Sequence, residues 1–434
     1  MSSLFKAAPN FPQTNPCASR DDGHVVALFD RLAHRWILSQ FAVPSGGPYY
    51  HCVAVSQTSD ATGGYYVYAF PQPYFPDYPK ISTWPDGYYA TFNMFRGNRF
   101  VGARVCAYER AQMLVGGIAH QLCATSNPSF GSILPADLDG KSTDLNPSYT
   151  FPDNPGDVSC MTGPACPPTG TPNVLANFYG GYLQVGFVTV NWSPTPQGSI
   201  LWPQKLAGAA SFTPACNGGT CIPQPNTNQN LDSLGDRLMF RLAYSKPCVV
   251  YSSTPGQCQT WDANYHLVVS HSVTVSPSSS VTGVRWYDLL PSFQNVTVGQ
   301  SATLTTTINQ QSTFSPDTDY RWMSSIAMDR AGNIALGYSR SSPSRFPSVA
   351  VALGMVSSTN TVTKENLTPL TIESIVQAGT GSQTKYSRWG DYAHMSIDPT
   401  DGCTFWFTSQ YQTATGVFDW STSIYPTKIA TNCQ

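Results

Sequence analysis

Residues 387–411 read SRWGDYAHMSIDPTDGCTFWFTSQY, and residues 320–342 read YRWMSSIAMDRAGNIALGYSRSS. Both segments open with Arg-Trp, run into an apolar strand, turn at Asp and Gly, and leave on a second strand with aromatic residues. Alternation of apolar and polar residues around an Asp/Gly turn is typical of a β-hairpin. The chain therefore contains the same kind of hairpin twice, with Arg321 and Arg388 at equivalent positions 67 residues apart.

Three further segments have a similar strand–turn–strand pattern, at residues 23–43, 77–95 and 234–246. Each hairpin would leave an apolar face exposed if it stood alone. Stacking such faces around an axis buries them, which is how a β-propeller is built. Blades need about 40 to 50 residues plus loops, so the observed spacing allows one blade with a long loop, and the whole chain allows six or seven blades.

We therefore predict an all-β fold, a single β-propeller of six or seven blades with disulfide-stapled loops. Two or three β-sandwiches are the alternative architecture. Residues 1–20 are predicted to form an N-terminal segment and residues 21–434 the propeller, with loop insertions at residues 145–176 and 213–230. Helix should be scarce because the chain has 35 Pro and 34 Gly, and residues 108–116 are the one short candidate.

The charge and hydropathy of the chain restrict its partners. Charged residues make up 11% and the formal net charge is −2, which gives no electrostatic reason to expect nucleic acid or an anionic membrane as a partner. No run of about 18 apolar residues occurs, so no membrane-spanning segment is predicted. The sequence does not fix the oligomeric state.

Cysteine usage predicts the compartment. The chain has 12 cysteines and no Cys-x-x-Cys, which favours disulfides formed outside the cytosol and hence an extracellular protein, either secreted or at a cell surface. Three N-glycosylation sequons, at Asn191, Asn295 and Asn366, fit this prediction if the source is eukaryotic. The cysteines expected to staple loops are Cys160 with Cys166, Cys216 with Cys221, Cys248 with Cys258, and Cys403 with Cys433.

The candidate binding site follows from where the blade strands begin. In a propeller, the first residues of each inner strand surround one mouth of the central tunnel. Here these positions are polar, and three arginines from separate blades should converge among aspartates. Arginine holds a carboxylate bidentately, so this arrangement suits an acidic sugar such as a sialic or uronic acid, although Arg–Asp pairs that only close the ring are the alternative. The predicted substrate-binding residues are Arg237, Arg321, Arg388, Lys80, Asp236 and Asp319.

Candidate catalytic residues lie in the same openings. Hydrolysis of a glycoside needs two carboxyl groups, or one carboxyl group and an activated tyrosine, and Asp391 and Asp77 are the preferred acids, with Tyr392 as a partner. Lyase chemistry on a uronic acid would use a Tyr or His base, for which His394 and His271 are candidates. A histidine in an apolar strand is, in the alternative interpretation, a packed and hydrogen-bonded core residue.

Other sites receive little support from the sequence. No G-x-S-x-G, P-loop, H-E-x-x-H or helix-opening G-x-G-x-x-G motif occurs, so no cofactor is predicted. Asp-rich turns such as residues 398–402, DPTDG, could hold Ca²⁺, which prefers carboxylate and carbonyl oxygens, and they are equally suitable as plain β-turns. Trp322 and Trp389 follow the two arginines and are expected to face the other way, in the core between sheets.

Four segments carry a resemblance to a known group of proteins: RWMSSIAMDRAGNIALGY, RWGDYAHMSIDPTDGCTFW, DYPKISTWPDGYYATFN and the early FPQTNPC. The chain resembles secreted sialidase-like (BNR-type) β-propeller proteins, many of them of unknown function. The sialidase Asp-box, S-x-D-x-G-x-T-W, is only approximated here, by residues 59–66 and 398–406. The resemblance implies a secreted propeller, and by analogy an arginine cluster for an acidic sugar at Arg237, Arg321 and Arg388.

The sequence thus predicts a secreted β-propeller protein that acts on or binds an acidic carbohydrate at its central funnel. If the protein is an enzyme, it is expected to be a glycoside hydrolase or a polysaccharide lyase. The competing hypothesis is a non-catalytic extracellular module, which could be a lectin, a scaffold or an appendage subunit. A funnel closed by mutual salt bridges would favour the second class, and an open pocket with an unpaired Asp would favour the first.

Overall fold

The chain folds almost entirely into antiparallel strands in a computed structural model, which describes residues 1–147, 163–168, 170–254, 256–276, 280–355, 370, 372–429 and 433. The strands fall into six groups along the chain, here called meanders one to six, and within each group most strands pair antiparallel with the next strand of that group. Helices are limited to short α-helices and single 3₁₀ turns in the described residues. The predicted all-β class is therefore confirmed.

Meanders one and two are four-stranded sheets in which every strand pairs with the next. The strands of meander one are β1 (Val26–Asp30), β2 (Arg35–Ala42), β3 (Tyr49–Ser56) and β4 (Tyr65–Gln72). The strands of meander two are β5 (Phe75–Trp84), β6 (Gly87–Arg96), β7 (Arg99–Tyr108) and β8 (Gln121–Thr125). Pro85 and Asp86 form the two-residue turn between β5 and β6, because Trp84 pairs directly with Gly87.

Helices accompany the first two meanders. Helix α1 (Ser2–Ala7) and a 3₁₀ turn (Pro16–Ala18) precede β1, and the disulfide between Cys17 and Cys52 attaches this segment to β3. Helix α2 (Arg110–Leu114) follows β7, within the one segment that the sequence predicts as helical. No helix among the described residues is long and apolar enough to cross a membrane.

Meanders three and four join into one eight-stranded sheet, because their first strands, β9 and β15, pair parallel to each other. The strands of meander three are β9 (Leu134–Leu138), β10 (Asn173–Tyr179), β11 (Tyr182–Asn191) and β12 (Gln197–Lys205). Helix α3 (Ser142–Leu145) follows β9, and a 3₁₀ turn (Ala215–Gly218) and the short pair β13 (Thr220–Ile222) and β14 (Leu231–Asp232) precede meander four.

The strands of meander four enclose a second short pair, which is itself closed by a disulfide between Cys248 and Cys258. These elements are β15 (Met239–Ser245), β16 (Cys248–Tyr251), β17 (Cys258–Trp261), β18 (His266–Thr274), β19 (Thr282–Thr297) and β20 (Ser301–Phe314), of which β16 and β17 form the short pair. The hairpin of β19 and β20 is the longest in the described chain.

Meanders five and six contain the two Arg-Trp segments. The strands of meander five are β21 (Tyr320–Met328), β22 (Ile334–Ser342), β23 (Arg345–Gly354) and β24 (Ile372–Gln377). The strands of meander six are β25 (His394–Ile397), β26 (Thr404–Gln412) and β27 (Trp420–Lys428), so this meander has three strands in the described part of the chain. Arg321 lies on β21, whereas Arg388 lies in the segment before β25.

The first strands of the six meanders lie side by side at the centre, because β1 contacts β5, β5 contacts β9, β9 contacts β15, β15 contacts β21, and β21 contacts β25. Buried apolar side chains fill the spaces from meander one through to meander six. Gly337 on β22 allows the closest approach, because a Cβ atom there would meet the Phe407 ring at 2.5 Å. No buried hydrophobic cluster among the described residues joins the strands of meander six to those of meander one.

Four buried charged residues form a polar hub at the centre: Arg31, Asp137, Asp139 and Arg241. Arg241 donates from Nε to Asp137 (2.5 Å) and from Nη1 to Asp139 (2.7 Å). Arg31 pairs with the other oxygen of Asp139 at 2.7 Å and donates to the backbone oxygen of Ile397. Because Asp137 also accepts from the backbone N–H of Thr83, the hub connects meanders one, two, three, four and six.

The loop insertions and disulfides predicted from the sequence can be compared with the observed ones. The predicted insertion at 145–176 includes the start of β10, and its residues 148–162 and 169 lie outside the described residues, as does Cys160. The insertion at 213–230 contains the 3₁₀ turn and β13. Among the described residues, five disulfides join Cys216 to Cys221, Cys248 to Cys258, Cys403 to Cys433, Cys17 to Cys52, and Cys106 to Cys123, and sequence spacing indicated only the first three.

A buried ion pair in meander four makes stability depend on pH. His266 is 1% exposed and its Nδ1 lies 2.8 and 2.9 Å from the carboxylate oxygens of Asp288. Burial alone would lower the pKa of His266, but the charge of Asp288 and hydrogen bonds with Asp262 and Asp288 raise it to about 9. Since the unfolded pKa is about 6.5, the stability from this pair is fully present below about pH 6.5 and is lost as the pH rises through about 9.

The expected result is a difference in pH dependence between the wild type and His266→Gln. The free-energy gap between them should shrink by up to about 3 kcal/mol from about pH 6 to about pH 10, measured by urea unfolding at a series of pH values. Val275→Ala, at a 42% exposed position just after β18 that carries no titratable group, is the control and should keep a constant gap. A constant gap for His266→Gln as well would contradict the ion-pair assignment.

Candidate functional site

Polar and aromatic side chains from four meanders meet where the central strands begin. They come from the segments before β1, β15 and β25 and from the first half of β5. We call this group the axial cluster, and its members are His24, Asp77, Tyr78, Lys80, Asp236, Arg237, Arg388, Asp391 and Tyr392. Its position follows from the side-by-side arrangement of the first strands, of which β9 and β15 pair parallel to each other.

Lys80 lies in the interior of the axial cluster. Its ammonium nitrogen is 3.5 Å from the centre of the Tyr78 ring and 4.1 Å from that of the Tyr392 ring, and the residue is 2% exposed. Nζ has no hydrogen-bond partner among the described residues. Burial lowers the pKa of Lys80 well below its ordinary value, and the charge of Asp391 acts in the opposite direction. The two ring faces are the close contacts of this amine.

Asp391 has one engaged and one free oxygen. Its Oδ2 accepts a hydrogen bond from Arg388, and its backbone oxygen accepts one from the hydroxyl of Tyr78 at 3.0 Å. Its Oδ1 is buried and has no partner among the described residues. A carboxylate oxygen left unpaired inside a protein is costly, and such atoms often mark positions where a ligand or water binds.

The two ring nitrogens of His24 contact Tyr392 on one side and Asp77 on the other. Nδ1 of His24 is hydrogen-bonded to the hydroxyl of Tyr392, and Nε2 of His24 lies 3.6 Å from Asp77. Burial lowers the pKa of His24 and raises the pKa of Tyr392. At neutral pH the imidazole is therefore neutral and the phenol protonated, which makes Tyr392 the donor and His24 the acceptor of their shared hydrogen bond.

Two of the three predicted arginines belong to the axial cluster. Arg237 is paired bidentately with Asp236, at 2.7 and 2.8 Å, and its guanidinium lies 4.9 Å from the Tyr78 ring. Arg388 is paired with Asp391, but its side chain is 57% exposed, and no other partner is seen for its Nε and Nη1 in the described chain. Of the two arginines, Arg388 is the one that can still bind a ligand.

The predicted convergence of three arginines does not extend to Arg321. This side chain is fully buried within meander five and donates to both oxygens of Glu373 and to Asp317. Asp319 pairs with Arg340 and Arg345 and is likewise outside the axial cluster. The residue of β21 that does reach the centre is Trp322, the next position along the strand.

Trp322 and Trp389 are both core residues. They are 0% and 1% exposed, and their ring centres lie 6.2 Å apart in a cluster with Tyr78 and Tyr392. The expectation that they would pack in the interior matches this burial. In meander five, however, the indole faces the centre and the arginine faces away, which reverses the predicted orientation.

The two candidate histidines of the sequence lie outside the axial cluster. His271 is fully buried, stacks on Tyr287, and has its pKa lowered to about 3 by burial, which fits the alternative interpretation of a packed core residue. His394 is half-buried, packs against the Phe240 ring, and lines a cavity of about 360 Å³ between meanders one and six. Its Nε2 has no partner in the described residues, and burial lowers its pKa well below the ordinary value.

A cavity of about 430 Å³ opens beside the axial cluster, between the start of meander six and its outer strands. Aromatic, amide and charged side chains line it together, and this mixture is typical of small-molecule sites. The main lining residues are His24, Gln383, Arg388, Asp391, Tyr392, Gln410, Phe418 and Trp420. His24, Phe418 and Trp420 were missed by the sequence analysis, although His24 precedes β1 as Asp236 precedes β15.

The Asp-rich turn at residues 398–402 is engaged in local hydrogen bonds. Asp398 accepts from the backbone and hydroxyl of Thr400, and Asp401 accepts from the backbone N–H groups of Cys403 and Thr404. Among the described residues, no group of three or more His, Cys, Asp or Glu side chains could hold a metal ion. The turn chemistry therefore accounts for these carboxylates without Ca²⁺.

Comparison with known proteins gave no relatives: no family model, curated protein or solved structure matches this chain. What can be concluded about function therefore depends on the axial cluster and the cavity beside it.

Proposed function

We propose that the protein is a secreted β-propeller protein that binds a carbohydrate bearing a carboxylate, in the cavity beside the axial cluster. Support for the propeller comes from six consecutive meanders whose first strands lie together at the centre. Five disulfides among the described residues fit an oxidising, extracellular environment.

The observation that carries the binding proposal is the pairing of an available arginine with exposed aromatic rings in one cavity. Arg388 offers unengaged guanidinium donors, which hold a carboxylate strongly in a bidentate arrangement. Trp420 is 51% exposed and Phe418 is 46% exposed, and both line the same cavity. A pyranose ring carries C–H groups with partial positive charge, which pack against the negative face of an indole or phenyl ring.

The ion pairs of the axial cluster favour a protein that binds its ligand without converting it. Arg237 is paired bidentately with Asp236, and Arg388 is partly engaged by Asp391, so both arginines of the axial cluster have carboxylate partners before any ligand enters. An enzyme that used three arginines to bind its substrate would have them unpaired. The existing ion pairs favour a binding module instead. A lectin-like module is therefore our first choice of function class.

A polysaccharide lyase is the second candidate, and the contact between His24 and Tyr392 favours it over a hydrolase. In β-elimination, the C5 proton of a uronic acid leaves to a base, the C4–C5 double bond forms, and the C4–O bond breaks as its oxygen takes up a proton. Because Nδ1 of His24 accepts from the Tyr392 hydroxyl, the Tyr392 oxygen could take the C5 proton as its own proton passes to His24. Tyr392 could then give a proton to the leaving C4 oxygen and recover one from His24. Arg388 would neutralise the carboxylate next to C5.

The test compares acidic oligosaccharides with the same oligosaccharides after reduction of their carboxyl groups. By isothermal titration calorimetry, the acidic member of a pair should bind and the reduced member should bind more weakly. Arg388→Gln should weaken binding of the acidic member by about 10- to 100-fold, because a hydrogen-bonded ion pair is lost. Ultraviolet absorbance of unsaturated products in the same samples would report lyase activity.

Arg345→Gln is the matched control, because Arg345 is 45% exposed and lies on meander five, outside the cavity. It should bind the acidic ligand like the wild type. Equal affinity for acidic and reduced oligosaccharides, or an Arg388→Gln variant that binds normally, would refute carboxylate recognition at this site.

A further inference from the structure

We propose that the surface between meanders one and six is an extended groove that binds a linear acidic polysaccharide over about four sugar units. This inference rests on the proposed function, since it extends the carbohydrate site from one cavity to a whole chain of subsites. The groove is formed by the outer face of meander six and by the strands of meander one that lie opposite it.

The outer face of meander six exposes large apolar side chains in a regular pattern. Along β27, alternate residues are exposed, with Trp420 at 51% and Ile424 at 66%. Trp406 on β26 is 37% exposed and pairs directly with Pro426, so it lies on the same face as these residues. The hydrophobic effect would normally bury such a face against a neighbouring sheet.

The opposite face of the same sheet is packed in the ordinary way. Phe405 and Phe407 alternate with Trp406 on β26, are fully buried, and pack against meander five. Each of the first five meanders shares a buried apolar cluster with the next, whereas none in the described residues joins the strands of meander six to those of meander one. The exposed face is therefore specific to the place where first and last meanders meet.

Two cavities lie along this face, and strand β26 lines both of them. The larger one is lined on β26 by Thr408 and Gln410, and the smaller one, of about 360 Å³, is lined by Trp406 of β26. These three residues occupy alternate positions of one strand, so they point the same way at intervals of about 7 Å. Trp36 and Phe29 of meander one form the other wall of the smaller cavity.

The spacing of the two tryptophans sets the length of the ligand. Trp406 pairs with Pro426, which lies six residues along β27 from Trp420. At about 3.3 Å per strand residue and roughly 5 Å per linked pyranose, the two indoles are about 20 Å apart and would span about four sugar units. The indole N–H of Trp406 donates to Asp398 at 3.0 Å, which fixes the orientation of that ring.

The chemistry of the walls favours a polysaccharide that carries negative charge. Hydroxyl and amide side chains, such as Ser396, Thr408, Gln410 and Thr422, separate the aromatic rings. The charged side chains that line the two cavities among the described residues are three arginines and two aspartates. Arg31 and Arg241 are neutralised by the hub carboxylates, so the cation that a ligand can reach is the 57% exposed Arg388. A protein partner would instead favour a continuous apolar patch.

The test is a titration of the protein with acidic oligosaccharides of two to eight units. Wild-type affinity should rise with length up to about four or five units and then level off. Trp406→Ala should bind the disaccharide normally and bind longer oligosaccharides about 3- to 10-fold more weakly, because only they reach the distal ring. Trp406→Phe should restore part of that loss, and Tyr179→Ala, which removes an exposed aromatic ring outside both cavities, should behave like the wild type.

The outcomes separate the two proposals. If the disaccharide binds in an Arg388-dependent way but affinity does not rise with length, or Trp406→Ala changes nothing, the groove inference is overturned and the proposed function stands. If neutral oligosaccharides bind with the same dependence on length and on Trp406, the groove stands and carboxylate recognition falls. If sedimentation shows a dimer that Trp406→Ala abolishes, the groove is a contact between copies of the chain, and the inference is overturned.

Discussion

Arg241→Met is expected to lower the free energy of unfolding by about 3–5 kcal/mol, the usual cost of breaking a buried ion pair from one side. Arg241 is 1% exposed and, within the part of the chain that the structure describes, is the only ionic partner in direct contact with Asp137, which is 3% exposed. Asp139 would keep Arg31, but it would lose the bond to Arg241 at 2.7 Å. The variant would therefore hold an uncompensated carboxylate at the place where five meanders meet.

Urea unfolding at neutral pH measures this loss, with Arg345→Met as the control. Arg345 also pairs with a carboxylate, but its side chain is 45% exposed, so its replacement should cost less than about 1 kcal/mol. Combining Arg241→Met with Asp137→Asn should recover part of the loss, because the stranded charge is removed. A loss below about 1 kcal/mol for Arg241→Met would show that the hub contributes little to stability.

Arg321→Met and Arg388→Met are expected to have opposite effects, although both residues begin an Arg-Trp pair. Arg321 is fully buried and bonded to Glu373 and Asp317, so its loss should destabilise the protein by about 3 kcal/mol. This value lies at the lower end of the usual range because Arg340 remains as a partner of Glu373. Arg388→Met should cost less than about 1 kcal/mol, because its side chain is mostly in solvent.

Unfolding and ligand binding should be measured on both variants. We expect Arg321→Met to bind acidic oligosaccharides normally at temperatures where it is folded, and Arg388→Met to be stable and deficient in binding. A stable Arg321→Met variant that has lost binding would place Arg321 at the ligand after all. Unfolding of Arg388→Met would assign that residue to structure and remove the main support for carboxylate recognition.

The sequence predicts the strands well because their signals are local. Alternation of apolar and polar residues and Asp/Gly turns identify the hairpins. Residues near the starts of different hairpins are then expected to lie together, which correctly groups Asp77, Lys80, Arg237 and Asp391. The number of blades and the closure of the ring depend on contacts between distant sheets, which no local pattern contains. Both stay predictions.

The assignment of Arg321 shows how register limits such reasoning. Strand side chains alternate between two faces, so a shift by one residue exchanges the faces completely. The pairing of β21 with β22 shifts between Trp322 and Ser325, and Trp322 takes the central position that the repeat assigns to the arginine. The sequence does contain one acidic partner of Arg321 nearby, Asp317, but the other, Glu373, is 52 residues away.

The polar hub could not be predicted from the sequence. Asp137 and Asp139 lie in the segment PADLDG, which resembles a surface turn, and their partner Arg241 is about a hundred residues away. Only the fold brings these groups together. By contrast, His24 precedes a strand in the same way as other members of the axial cluster and was within reach of the sequence analysis.

The two walls of the proposed groove each carry a covalent cross-link. The bond between Cys17 and Cys52 closes a loop of 35 residues onto meander one, and the bond between Cys403 and Cys433 closes one of 30 residues onto meander six. The second bond encloses β26 and β27, the strands that carry Trp406 and Trp420, and the first ties the segment before β1 to β3. Both cross-links restrict the conformations open to the walls before a ligand arrives, so less affinity is lost to ordering them.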